Sequence, residues 1–70
     1  MRVERDYSFI KAKVWRERGG YLCCELNSIH GHFILLMVSA DKDDTEADVV
    51  QTALRCLSSS DLVAAKQEAA

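Results

Sequence analysis

The stretch that decides the fold runs Tyr7-Ser8-Phe9-Ile10-Lys11-Ala12-Lys13-Val14-Trp15-Arg16-Glu17-Arg18-Gly19-Gly20-Tyr21-Leu22-Cys23-Cys24-Glu25-Leu26-Asn27. From Tyr7 to Glu17 the side chains fall into two alternating sets. Ser8, Ile10, Ala12 and Val14 share one face, and Tyr7, Phe9, Lys11, Lys13 and Trp15 the other. A period of two with aromatic and β-branched residues is a strand signal. Arg18-Gly19-Gly20 supplies the turn, because glycine reaches positive φ without a Cβ clash. A second strand follows over Tyr21 to Asn27.

Side-chain matching selects the register of this hairpin. A two-residue Gly19-Gly20 turn would oppose Lys13 to Leu26 and Glu17 to Leu22. A three-residue Arg18-Gly19-Gly20 loop with a glycine bulge instead opposes Val14 to Cys24, Ala12 to Leu26, Lys13 to Glu25 and Trp15 to Cys23. Directly opposed pairs differ by roughly 0.2–1 kcal/mol each, so the second register is expected.

Working outward, Ser28, Ile29, His30 and Gly31 form a loop. His32 to Ala40 reads as a third strand, with Ile34, Leu36 and Val38 facing one way and Phe33, Leu35 and Met37 the other. Asp43, Asp44 and Glu46 crowd the start of a helix, with Thr45 and Asp48 as a capping-box variant. Val49, Val50, Ala53, Leu54 and Leu57 recur along one helical stripe. The helix is expected to break near Ser58-Ser59-Ser60, with Ser60 capping a short final helix from Asp61 to about Glu68. The predicted fold class is α+β: a three-stranded antiparallel meander, one main helix and a short C-terminal helix, in a single domain over residues 1–70.

Composition bounds the function. Seventy residues, 49% of them hydrophobic, with no proline and a net charge of −2, exclude a disordered chain and leave room for one domain. A domain this small buries only about 60% of its unfolded surface, which disfavours an enzyme with a deep pocket. The longest apolar run, Phe33 to Val38, is far short of the roughly 20 residues a membrane span needs. Residues 1–20 carry six basic side chains with no continuous apolar core, so no secretory signal and a soluble, cytoplasmic protein are expected. Three cysteines, Cys23, Cys24 and Cys56, do not suggest a disulfide framework. Charge is uneven: residues 1–20 are net basic, whereas Asp41, Asp43, Asp44, Glu46, Asp48, Asp61 and Glu68 make the C-terminal part acidic.

One helix covers one sheet face. The other would then carry Tyr7, Phe9, Trp15, Tyr21 and Phe33, with Lys11 and Lys13 among them. A bare patch of that kind marks an interface. The candidate partner-binding residues are therefore Tyr7, Phe9, Lys11, Lys13, Trp15 and Tyr21, with Asp41, Asp43, Asp44 and Glu46 as a second, electrostatic contact. Aromatics interleaved with lysines on an open sheet also suit stacking on nucleic-acid bases, but the net negative charge weighs against it. His30, His32, Cys23 and Cys24 lie close in sequence, yet strand alternation points the two cysteines apart, so no metal or other cofactor is expected. No catalytic arrangement is expected either, for want of a carboxylate to orient a base or a phosphate-binding glycine loop.

Two resemblances bear on this reading. The Tyr7-Ser8-Phe9-Ile10 strand, the Glu17-Arg18-Gly19-Gly20-Tyr21 hairpin and the Asp44-Thr45-Glu46-Ala47 helix start resemble antitoxins that pair with small RNA-cleaving toxins. This resemblance spans roughly residues 7–57. The chain departs from that family in lacking its Pro/Gly loop after the second strand and in having a longer third strand. In size, layout and lack of catalytic apparatus the chain is also similar in type to small phage-encoded inhibitors such as anti-CRISPR proteins, without a shared motif. Together they imply a non-enzymatic protein–protein interaction module, a small inhibitor or regulator that occludes a larger partner such as a subunit of a host or effector complex, either alone or as a homodimer. A nucleic-acid-binding or antitoxin-like regulator is the alternative.

Overall fold

A computed structural model describes residues 2–31 and 34–69. Four strands form one antiparallel sheet in chain order: β1 (Arg2–Tyr7), β2 (Ile10–Arg16), β3 (Leu22–Ser28) and β4 (Ile34–Ala40). Two helices follow, α1 (Glu46–Arg55) and α2 (Ser59–Ala69). The fold class is α+β, but the sheet has four strands where three were expected.

The additional strand, β1, comes from splitting the first alternating segment at Ser8-Phe9. Ser8 has a φ of 56°, left-handed for a residue with a Cβ. The chain reverses there, and Tyr7 pairs directly with Ile10. Direct pairing puts both side chains on the same face, so Tyr7 lies with Ile10, Ala12 and Val14, opposite to its expected position. Arg2-Val3-Glu4-Arg5-Asp6 carries four charges in five residues, and that density hid the strand from a hydrophobic pattern.

The β2–β3 hairpin has the expected register: Ala12 opposes Leu26, Lys13 Glu25, Val14 Cys24 and Trp15 Cys23. Gly20 N–H donates to the Glu17 carbonyl at 2.9 Å, and Gly20 sits at a φ of 89°, where a side chain is strained. In β4 the alternation shifts at a bulge, because Leu26 pairs with Leu36 but Asn27 with Ile34. Ile34 therefore joins Met37 on the open face, not Leu36 and Val38 as expected, and Leu35 packs against the core. His32 and Phe33, read as the start of this strand, lie outside the described residues.

The core lies on one side of the sheet. Ile10, Ala12, Val14, Leu22, Cys24 and Leu26 are buried against Val49, Val50 and Ala53 of α1, with Leu54 and Leu57 packed around them. Burying a leucine such as Leu26 completely stabilises the fold by about 2–3 kcal/mol. Thr45 caps α1, its Oγ1 accepting from the Asp48 amide at 3.2 Å. Ser58, not Ser60, caps α2: its Oγ accepts from Asp61 N–H at 3.1 Å, and Asp61 Oδ2 accepts from Ser58 N–H at 3.3 Å. Fully buried Ala65 brings α2 into the same core, over β3. Both helices thus cover one face; among the described residues no element lies over the opposite, open face, although Cys23 and Asn27 within it are buried.

Candidate protein-interaction surface

The open face is built by β1–β4 positions that point away from the helices. Across the sheet, Glu4 opposes Lys13, which opposes Glu25, which opposes Met37; Asp6 opposes Lys11, which opposes Asn27. Opposite charges directly across a ladder contribute roughly 0.2–1 kcal/mol each, so this is a charge-matched face rather than an aromatic one. Trp15 is the one expected aromatic of the described residues that lies on it. Arg2 stacks over the indole at 4.9 Å from the ring centroid, and Nε1 donates to Glu17 Oε1 at 2.6 Å.

The other expected aromatics are dispersed. Tyr7 and Phe9 pack against the core, and Lys66 of α2 lies 5.4 Å above the Phe9 ring. Tyr21, 44% exposed, sits at the end of the sheet in a shallow depression with Ser39, Ala40, Asp41, Asp44 and Thr52. The six-residue aromatic and basic patch is therefore corrected to Lys11, Lys13 and Trp15 on the open face, with Tyr7, Phe9 and Tyr21 elsewhere.

The acidic contact keeps its expected exposure. Asp41, Asp43, Asp44, Glu46 and Asp48 are all exposed, and Tyr21 adjoins Asp41 and Asp44. Arg16 ties the two loops at this end together, its Nη1 donating to the Gly20 carbonyl at 2.6 Å and the Lys42 carbonyl at 3.3 Å. Where α1 does not reach β1, a groove of about 500 Å³ opens, walled by Val3, Arg5 and Tyr7 and by Thr45 to Ala47 and Val50.

The sheet edges were not singled out by sequence reasoning, and they differ. Edge strands expose unpaired backbone groups, and charged side chains guard them against stray pairing. β1 is guarded by Arg2, Glu4, Arg5 and Asp6, whereas β4 reads Ile-Leu-Leu-Met-Val-Ser-Ala without a charge. Ile34 and Met37 are 59% and 55% exposed on this strand. The signal was the six-residue apolar run, read as a strand apolar on both faces and not as an edge.

The thiols offer little chemistry. Burial, followed by the neighbouring Glu25 charge, pushes the Cys24 thiol from 9.0 up to about 11, so it stays protonated and unreactive near neutral pH. Cys23 is also buried, while Cys56 is exposed. Among the described residues, no three His, Cys, Asp or Glu side chains converge as metal ligands, and no helix is long and apolar enough to cross a membrane. No family model matches the chain, and no curated protein or solved structure matches it.

Proposed function

We propose that the chain is a non-enzymatic protein-interaction module, a small inhibitor or regulator that binds and occludes a larger partner in the manner of anti-CRISPR proteins. The observation that carries this reading is the β4 edge: an uncharged strand with Ile34 and Met37 standing in solvent. Exposed aliphatic and methionine side chains beside unpaired strand backbone suit β-strand addition to another protein. The exposed acids from Asp41 to Asp48, next to Tyr21, add a contact for a basic surface. Direct nucleic-acid binding is disfavoured by the acids that oppose Lys11 and Lys13 across the sheet.

Capture from host lysate on the immobilised full chain, read by mass spectrometry, tests the proposal. A partner retained by the wild type and lost with the Ile34→Asp/Met37→Glu double variant is expected. A capture profile unchanged by that variant contradicts the β4 reading. Binding of single-stranded RNA or DNA that weakens steeply as salt rises favours the nucleic-acid alternative instead.

A further inference from the structure

We infer that β4 pairs with β4 of a second copy of this chain, antiparallel and centred on Val38, joining two sheets into one of eight strands. This inference rests on the reading of β4 as an interaction edge and deepens it by naming an occupant and a register.

The backbone pattern identifies the groups available for pairing. Glu17 N–H donates to the Tyr21 carbonyl at 2.9 Å, so these opposed residues turn their backbones toward each other. Antiparallel ladders alternate bonded and non-bonded pairs. Trp15 with Cys23 and Lys13 with Glu25 are then the bonded pairs of β2 and β3. The Tyr7–Ile10 pair that closes the first two-residue turn gives the same alternation. Leu22, Cys24 and Leu26 consequently turn their backbones toward Ala40, Val38 and Leu36. Met37 and Ser39 are left pointing their N–H and C=O groups away from the sheet.

A twofold axis normal to the sheet through Val38 uses those groups. It opposes Met37 of each copy to Ser39 of the other, and each such pair exchanges two hydrogen bonds, four in all. Leu36 opposes Ala40, and Val38 meets its own twin as a close non-bonded pair. The paired span, 36–40, begins just past the extra residue of the bulge, Leu35, and contains no charge. Two β1 strands paired about Glu4 or Arg5 would set Glu4 against Glu4 or Glu4 against Asp6, repulsive matches that no register of the uncharged β4 contains.

The helices agree with this axis. α1 packs over β3 and β4, with Thr52 beside Ser39 and Ala40. Because the axis is normal to the sheet, both α1 helices stay on the same side of the joined sheet, over β3 strands about 14 Å apart at a strand spacing of about 4.8 Å. They run antiparallel, as a twofold normal to the sheet requires.

Sedimentation equilibrium on the full chain provides the test, with twice the 7.9 kDa chain mass as the expected species. Ser39→Pro removes the outward N–H while sparing the inward bonds of β4, and should weaken dimerisation at least about tenfold. A circular dichroism spectrum establishes whether that variant is folded. Independently, Val38→Cys in a Cys56→Ser background should form a disulfide-linked dimer on mild oxidation, because the twin residues fall within bridging distance. Met37→Cys in the same background should cross-link far less. A wild type that stays monomeric at all concentrations overturns the inference, as does a dimer that a folded Ser39→Pro variant leaves intact or whose Val38→Cys form fails to cross-link. A monomer would leave capture of a foreign partner standing, and a dimer that captures nothing would do the reverse.

Discussion

Ser8 shows how one residue redirects the hairpin it belongs to. Its φ of 56° sits at the first of two turn positions, where the local geometry favours glycine. Left-handed backbone costs an L-residue about 1–2 kcal/mol, part of which glycine gives back through greater freedom in the unfolded chain. Ser8→Gly should therefore raise stability by roughly 0.5–1 kcal/mol, seen as a higher urea midpoint with an unchanged slope. An unchanged or lower midpoint would mean that Ser8 makes a compensating contact. Trp15 is tied down by Arg2 and Glu17, so the residue that looked most like a free anchor in the sequence is held within its own sheet. Reading it otherwise required not knowing that Arg2 lies on a strand beside it.

Among the elements, the β2–β3 hairpin was legible because Gly19-Gly20 and the alternation on both sides agree on one register. The main helix was legible for a similar reason: Thr45, the acids after it and the Val49–Leu57 stripe all point to one helix. β1 was not, since its four charges mask the period of two that Val3 and Tyr7 carry. In α2 three consecutive serines each qualify as a cap, and only the reciprocal bonds between Ser58 and Asp61 distinguish them. Ser58→Ala should cost about 1 kcal/mol in a thermal or urea melt, whereas Ser60→Ala should cost markedly less. Equal losses from the two substitutions would contradict the assignment of the cap. The helix is held by small, fully buried Ala65 with half-buried Leu62 packed against the core, which explains why its weak apolar pattern did not disclose the face it buries.

At the scale of the molecule, both helices lie on one side of a four-stranded sheet. The sequence suggested that the uncovered part is a face rich in aromatics. The structure packs Tyr7 and Phe9, half-buried, against the core and matches charges across the open face, which makes that face compatible with water. The unguarded feature is instead the β4 edge, and an edge is invisible until strand order is known. Joining two such edges extends the sheet without new secondary structure, and small scaffolds often gain stability through such association. The central claim concerns two outward-pointing backbone amides, those of Met37 and Ser39. Amide hydrogen exchange at low and high protein concentration reads them directly. Protection at Met37 and Ser39 that grows with concentration, while Arg2, Glu4 and Asp6 on the opposite edge stay unprotected, is the predicted result. Fast exchange at Met37 and Ser39 at every concentration would contradict it.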